Sequence, residues 1–372
     1  MTASPFTADD YGHMARALQL AVRGLSGARP NPRVGCVLVK DGRVIGEGWH
    51  AYAGGPHAEI VALQAAGAEA RGATCYVTLE PCRHQGRTGP CTTALIDAGV
   101  REVVAATEDP NPKMTGEGLA ILRAAGIATR AGLLAGEAEN LNAGFLRRMR
   151  GGGPYVRVKA GMSLDGRAAL AGGGSQWITG AAARRDVQRW RARSCAVVTG
   201  VGTVLADDPR LNVREPDALE GLREQPLRVV LDAKLRTPPK ARLLTEPGRV
   251  LIFTATADDE RTKKLLAAGA GIETLPAPDG RLDLTVVLQR LAQREINEVW
   301  VEAGPRLTGA FLQSRLADEL IAYVAPKLLG HDARAMAEFP PFDTLADAPE
   351  WHWRDVRVCG TDLRLILAPK QR

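Results

Sequence analysis

Four residues in the first quarter of the chain have types that belong together chemically. His57 and Glu59 stand in "PHAE" at 56–59, and Cys82 and Cys91 flank the loop "RHQGRTGP". One imidazole and two thiols are the ligands zinc prefers. Three protein ligands leave the fourth tetrahedral position open for water, the arrangement of a catalytic rather than a structural site. A carboxylate beside such a water takes its proton and passes it to a leaving group. Each Cys follows a strand-like run and stands at or near the start of a helix, in "CYVTLEPC" and "PCTTALIDAG", where a helix N-terminus lowers a thiol's pKa. His57 likewise opens a helix behind Pro56. Residues i and i+2 within a helix point about 200° apart, so His57 and Glu59 share a pocket only if the first turn faces the metal.

A single His-x-Glu is usually surface decoration, and two cysteines nine apart are often core residues. The ordered series His-x-Glu then Pro-Cys is different: it is the signature of the zinc nucleobase deaminases, whose glutamate is the general acid and base. That signature closes with Pro-Cys-x-x-Cys, whereas here eight residues separate Cys82 from Cys91. The insertion carries Arg83, His84 and Arg87, which would reach over a base at the metal.

The elements around these residues alternate. Apolar positions from Met14 to Leu25 recur at three- and four-residue spacing, the mark of an amphipathic helix. "VGCVLV" and "RVIGEGW" flank Asp41-Gly42, a dipeptide suited to a tight hairpin turn. Helices and strands then alternate to a helix near 136–149, which predicts an α/β domain in three layers with a largely parallel sheet. The stretch "RRMRGGGPY" breaks the pattern and sets a boundary near 150, giving domains 1–150 and 151–372. The second half is again α/β, with an antiparallel finish in "WRDVRVCG" and "DLRLILAP".

Length and composition agree with two ordinary globular domains: 372 residues, 45% hydrophobic and 24% charged. No apolar run is long enough to span a membrane and the N-terminus lacks the order of a secretory signal, so a cytoplasmic location is expected. Six cysteines in such a chain favour thiols or metal ligands over disulfides; Cys36, Cys75 and Cys195 lie in apolar runs and read as core. A net charge of +6 fits an anionic partner. Because arginine is scattered rather than blocked, a phosphorylated small molecule fits better than nucleic acid.

The second half is less legible. "TGVGTVL" carries an incomplete glycine fingerprint, weak support for a dinucleotide site. In "VEAGPRLTGAFL" a strand ends at Glu302 and Gly304-Pro305 leads into a helix whose free N–H groups suit a cofactor phosphate. Arg184, Arg185, Arg189, Arg191 and Arg193 share one helix, a pattern that by itself reads as a solvated face.

Taken in order, "RPNPRVGCVLVKDGRVIGEGWH", "PHAE", "TLEPCRHQGRTGPC", "DPNP", "LNAGF", "KAGMSLDGR", "GSQWITG", "TVLADDP" and "VEAGP" resemble the bifunctional deaminase/reductases of riboflavin biosynthesis along nearly the whole chain. The resemblance implies a cytidine-deaminase-like α/β/α domain followed by a dihydrofolate-reductase-like α/β domain. It implies deamination of a phosphoribosylaminopyrimidine at zinc, then NADPH-dependent reduction of the ribosyl group. It also implies roles. His57, Cys82 and Cys91 hold zinc and Glu59 carries the proton. Asn31, His50, His84 and Arg87 contact the deaminase substrate. Gly161, Trp177, Thr203, Asp207 and the run Gly304, Pro305, Arg306, Leu307, Thr308, Gly309 and Ala310 contact NADPH. Ser175, Arg191, Leu211, Arg214 and Glu302 contact the reductase substrate. The chain departs from the family pattern at Arg83 (usually Ser), Gly89 (usually Pro) and Ala233 (usually a cofactor-contacting Ser). Two rival readings stand beside this one: a nucleic-acid-editing deaminase with a basic RNA-binding second half, and a degenerate scaffold. The scaffold would lack a ligand or the acid, and all four are present. Homo-oligomerisation is left open.

Overall fold

The computed structural model describes residues 5–83, 89–112, 114 and 116–370. The chain divides into two compact units, Met1–Gly152 and Gly153–Arg372. Among the described residues no helix is long and apolar enough to cross a membrane.

The first unit runs α1 (Ala8–Val22), β1 (Gly35–Lys40), β2 (Arg43–Trp49), α2 (Ala58–Ala66), β3 (Thr74–Val77), α3 (Cys91–Ala98), β4 (Glu102–Ala105), α4 (Glu117–Ala124), β5 (Ala128–Ala131), α5 (Ala135–Leu141) and α6 (Ala143–Met149). Thr7 and Asp10 form a capping box at the start of α1. Asp41 and Gly42 take φ of 49° and 74° and close the β1–β2 hairpin. The sheet order is β2-β1-β3-β4-β5. It is mixed rather than largely parallel. β1 pairs antiparallel with both β2 and β3, and the β3–β4 and β4–β5 ladders are parallel. The tight hairpin forces the first reversal, and β3 then runs parallel to β2 with β1 between them. One face packs on α1 and α5 through Met14, Ala17, Val37, Val104 and Ala138. The other packs on α2, α3, α4 and α6 through Cys36, Ala62, Leu95, Leu119 and Leu146, so the unit has three layers. Cys36 and Cys75 are fully buried there.

The second unit runs β6 (Tyr155–Ser163), β7 (Arg167–Ala169), α7 (Ala181–Arg193), β8 (Ala196–Gly200), α8 (Val201–Asp207), α9 (Pro216–Leu219), β9 (Leu227–Leu231), α10 (Arg242–Thr245), β10 (Val250–Thr254), α11 (Asp259–Ala267), β11 (Ala270–Thr274), α12 (Leu284–Gln293), β12 (Glu298–Glu302), α13 (Pro305–Gln313), β13 (Glu319–Ala325), β14 (Arg334–Ala335), β15 (Trp351–Cys359) and β16 (Asp362–Pro369). Its main sheet has nine strands in the order β11-β10-β9-β8-β12-β6-β13-β16-β15. The ladders from β11 to β13 are parallel and the last two antiparallel. α12 and α13 cover one face around Phe253, Val301 and Phe311. On the other, α7 packs around Trp300 and Tyr323, and α8, α10 and α11 pack around Val204, Leu243 and Leu265. β12 enters between β8 and β6 after the chain has wound outward to β11. Their carboxyl ends therefore lie where the winding reverses, the usual place for a ligand in an open α/β sheet.

Candidate active sites

In the first unit the backbone of α2 lies close on the glycines of β2. A Cβ at Gly46 would fall 2.3 Å from the carbonyl oxygen of Ala62, and one at Gly48 would fall 2.2 Å from that of Ala58. Both distances are shorter than any real contact, so these strand positions admit glycine alone, and Ala58, Ala62 and Ala66 complete the buried seam. The seam fixes the start of α2. His57 is its N-cap, with extended backbone at ψ 161°, so it stands outside the helix and the opposed directions expected of i and i+2 do not apply. Glu59, in the first turn, is 3% exposed.

β3 leads toward Cys82. Just before it, the buried carboxylate of Glu80 accepts the backbone N–H groups of Asp109, Gly116 and Leu119 at 3.0, 3.0 and 3.1 Å, which pins the chain. Cys82 lies in an irregular segment rather than at a helix start. It still meets a helix N-terminus: Cys91 is the first residue of α3, and its N–H donates to Cys82 Sγ at 3.4 Å.

His57 Nδ1 lies 3.2 Å from Cys91 Sγ and 3.4 Å from Cys82 Sγ, and the three ligand atoms fall within 4.8 Å of one another. Tetrahedral zinc with ordinary Zn–N and Zn–S bonds sets N···S edges of about 3.6 Å. The constellation fits that ion with a small expansion, and its donor set of one nitrogen and two sulfurs is one zinc takes. Burial pushes the Glu59 carboxyl up from its ordinary 4.5 to about 7, helped by the nearby Cys82 sulfur. The Cys91 thiol, then His57, hold Cys82 down to about 4 against the cost of burial; Cys91 rises in turn as the donor to Cys82.

His50 is buried and packs edge-on to His57, ring centroids 5.3 Å apart. Its Nδ1 lies 3.0 Å from the carbonyl oxygen of Pro56, which only accepts, so Nδ1 carries the proton and Nε2 accepts from Asn31 Nδ2 at 3.1 Å. Desolvation depresses its pKa, which favours the neutral ring. Asn31, His50, His57 and Glu59 are thereby brought to one place; His84 and Arg87 lie outside the described residues. Of the two departures, Arg83 pairs with Glu117 at 2.5 Å, and a Cβ at Gly89 meets nothing within 4 Å. A residue that motif reading left without a role holds Asn31's segment: the buried side chain of Asn142 accepts the Arg33 N–H at 2.8 Å and donates to the Arg33 carbonyl at 2.9 Å. Asn142 also divides α5 from α6, where the sequence suggests one helix.

In the second unit the carboxyl end of β12 brings Glu302 into register beside Lys159, at the middle of β6. Glu302 accepts Nε and Nη2 of Arg191 at 2.5 and 2.8 Å and Trp300 Nε1 at 2.8 Å. Arg191 is 7% exposed and also donates to the Asn212 carbonyl at 2.9 Å, so on this helix it is an inward residue, not part of a solvated face. The carboxyl of Glu302 drops to about 2 because Arg191 outweighs the cost of burial. Lys159 is the residue that sequence reading missed, although its motif was in view. Desolvation lowers its pKa, opposed by Glu302, and its Nζ is what a Cβ at Gly161 would meet, at 3.0 Å.

The helix suited to a cofactor phosphate is also present. α13 begins at Pro305 with no side-chain cap, and the Gly304 N–H donates to Thr203 Oγ1 at 3.2 Å, tying α8 to α13. Gly200 approaches Leu307 so closely that a Cβ would sit 3.3 Å from it. Thr308 and Gly309 face inward, whereas Arg306 is exposed and Leu307 and Ala310 are half-buried. This uncapped terminus beside Thr203 and two strand-end glycines fits a dinucleotide phosphate. Asp207, at the end of α8, is exposed. Ser175 and Trp177 belong to the loop before α7. There Arg184 lies 4.5 Å over the Trp177 ring, Lys327 Nζ donates to the Trp177 carbonyl at 2.9 Å, and Thr179 packs near Gly161. Leu211 is buried at a φ of +52°. Arg214 is exposed, with its guanidinium 3.4 Å from Asn212 Oδ1. Ala233 contributes its carbonyl oxygen to Ala255 N–H at 3.0 Å.

Residues 7–107 match the cytidine and deoxycytidylate deaminase zinc-binding region, and residues 154–365 match the RibD C-terminal domain. The chain is 52% identical over 370 residues to the riboflavin biosynthesis protein RibD of Escherichia coli (strain K12), covering 96% of this chain and 99% of that protein. The chain belongs to the RibD family. RibD of Haemophilus influenzae is 47% identical, over 98% and 99% of the two chains. Among solved structures, RibD from Acinetobacter baumannii superposes with a TM-score of 0.91 at 47% identity, covering 98% of this chain and 99% of that one. A Thermotoga maritima diaminohydroxyphosphoribosylaminopyrimidine deaminase/5-amino-6-(5-phosphoribosylamino)uracil reductase reaches 0.85 at 34% identity, over 97% and 99%. As a RibD protein this is a bifunctional enzyme of riboflavin biosynthesis. A cytidine-deaminase-like zinc domain is followed by a dihydrofolate-reductase-like domain that uses NADPH. A RibD reductase half also weighs against an RNA-binding extension.

Proposed function

We propose that residues 1–150 deaminate a diaminohydroxyphosphoribosylaminopyrimidine and that residues 151–372 reduce the resulting 5-amino-6-(5-phosphoribosylamino)uracil to its ribityl form. The observation that carries the first step is a buried carboxyl, its pKa raised by that burial, beside one imidazole and two thiols at zinc-ligand spacing. His57, Cys82 and Cys91 hold the metal; zinc, when bound, supplies an activated water. Glu59, buried beside the metal ligands, takes a proton and delivers it to the departing amine. Neutral His50, with Asn31 oriented by it, recognises the pyrimidine; His84 and Arg87, outside the described residues, are the further contacts that the family resemblance implies.

In the second step NADPH supplies a hydride when bound. The N-terminus of α13, with Thr203, holds its phosphate, and Gly161, Trp177 and Asp207 contact the rest. Glu302 and Lys159 hold the ribosyl end of the substrate; Ser175 and Leu211 line it. Arg214 takes the phosphate. Its guanidinium is depressed by desolvation first and then by Arg191 and Arg210, a field that an anion relieves. Arg191 contributes to that field and fixes Glu302.

Incubating the zinc-loaded chain with the diaminopyrimidine phosphate tests this order. Without NADPH the deaminated ribosyl product should accumulate alone, and with NADPH the ribityl product should replace it. Absence of deamination, or reduction that precedes it, overturns the reading.

A further inference from the structure

The segment Asp208–Arg214, between α8 and α9, is irregular in backbone yet held by remote side chains at most of its residues. Asp208 Oδ1 accepts the Arg242 N–H at the start of α10 at 2.8 Å. The Asn212 carbonyl is taken by Arg191. Gln225 clamps Val213 by both backbone groups, at 2.7 and 2.9 Å, and the Arg214 N–H donates to Gln188 Oε1 at 2.9 Å. In the middle, Leu211 keeps its left-handed backbone, which a leucine retains only where its surroundings over-determine it.

The side chains of the segment converge on a residue with no role so far. One oxygen of Glu246 accepts Asn212 Nδ2 at 2.8 Å, and the other pairs with Arg210 Nε at 3.1 Å. Asn212 in turn presents Oδ1 to the Arg214 guanidinium. Glu246 is itself held from beneath. Nη2 of Arg228, a residue of β9 with no exposed surface, donates to the carbonyl oxygens of Glu246, Pro247 and Gly248 at 2.9, 3.0 and 2.7 Å. Among the described residues its Nε and Nη1 have no hydrogen-bond partner, so this guanidinium is costly to bury; what it secures is the 246–248 bend. Gly248 makes that bend at a φ of +108°, where a Cβ would also lie 2.7 Å from Gln225 Cβ. Arg228, the bend and the Gln225 clamp thus form one scaffold under the segment.

We propose that Glu246 is a positioning residue of the reductase: seated on Arg228, it fixes Asn212 and Arg210 and thereby sets where Arg214 presents its guanidinium to the substrate phosphate. This rests on the assignment of Arg214 above.

The test is steady-state reduction by the full chain of two substrates, 5-amino-6-(5-phosphoribosylamino)uracil and its dephosphorylated riboside. Arg214→Ala, Glu246→Ala, Glu246→Gln and Asn212→Ala are compared with the unaltered enzyme. Glu246→Ala should raise the KM for the phosphorylated substrate about tenfold, the effect of one displaced hydrogen bond to a charged group. The KM for NADPH, the riboside kinetics and the deamination rate should stay put. Glu246→Gln, which keeps an acceptor for Asn212, should recover most of the loss. Asn212→Ala cuts the link from its other end and should reproduce the phosphate-dependent rise even where Glu246→Ala does not fold. Losses equal on both substrates, or none, overturn the positioning role provided Arg214→Ala shows a phosphate-dependent loss. An Arg214→Ala enzyme that handles both substrates normally overturns instead the assignment on which the inference rests.

Discussion

Replacing Glu59 by Gln keeps the shape of the side chain and removes its proton chemistry, and two independent readouts follow. Deamination should fall at least 100-fold, the scale of lost general acid–base catalysis, while one zinc per chain and the reduction of pre-deaminated substrate are retained. The second readout is stability. Burial raises this carboxyl from 4.5 to about 7, so ionising it in the folded protein costs about 3 kcal/mol. The sign is that of a raised acid: below pH about 4.5 the group is neutral folded and unfolded, and the folded state gives up stability as pH climbs from there through 7. Zinc-stripped Glu59→Gln should therefore match the unaltered protein near pH 4.5 and exceed it by up to about 3 kcal/mol at pH 8. Denaturant melts of the full chain with chelator present, at both pH values, measure the difference. Retained deamination would refute the proton-carrying role, and an equal difference at both pH values would refute the desolvated carboxyl.

Asn142→Ala strips partners from a buried backbone N–H and carbonyl at Arg33 and should cost about 3 kcal/mol, with weakened deamination because Asn31 is two residues away; an unchanged denaturation midpoint contradicts this. Gly309→Ala would put a Cβ 1.9 Å from the Glu338 carbonyl oxygen, so α13 must shift, at about 1 to 3 kcal/mol. The KM for NADPH should rise while deamination holds, and normal cofactor binding would show that α13 is not the phosphate cradle. Glu302, held at about 2, stabilises the fold at pH above about 4.5 and loses that contribution as pH falls toward 2. Glu302→Gln should flatten the stability profile across that window, and an unaltered slope assigns the acid sensitivity elsewhere.

The metal constellation was the most legible part of the chain because ligand type and order are written locally, and the hairpin turn at Asp41-Gly42 for the same reason. What the sequence misjudged depended on position at an element's edge. The helical rule that set His57 against Glu59 lapses because His57 is a cap. Cys82 is not at a helix start, yet it receives the first N–H of α3 across nine residues of chain. Asn142 cannot be told from an ordinary helical residue until its amide is seen on Arg33, 109 residues away. The second site was hidden for a related reason: Arg191 meets Glu302 across 111 residues, and only the α7 packing turns Arg191, and Arg193 toward the buried Glu298, inward from a row of five. Lys159 gave a signal that could have been used, a lysine interrupting an apolar strand, which is rarely placed there without an acidic neighbour. β12 supplies that neighbour in register, a fact no local pattern contains.

The seating of α2 on β2 bears on how such an enzyme can change its substrates. Where two elements meet through side chains, a mutation at one position is absorbed by rotamers at the next, and a pocket drifts by small steps. Here the strand offers only Gly46 and Gly48 to the carbonyls of Ala58 and Ala62, so nothing on that side can swell, shrink or lean. His57 and Glu59 are held at a distance from β2 that the close approach of the two backbones sets. Variation that reshapes the deaminase pocket is therefore channelled away from α2 to other parts of the sequence, such as that between Cys82 and Cys91, where this chain already differs from the family pattern at Arg83 and Gly89. A library seeking new amine substrates should randomise that stretch and leave the α2 seam intact.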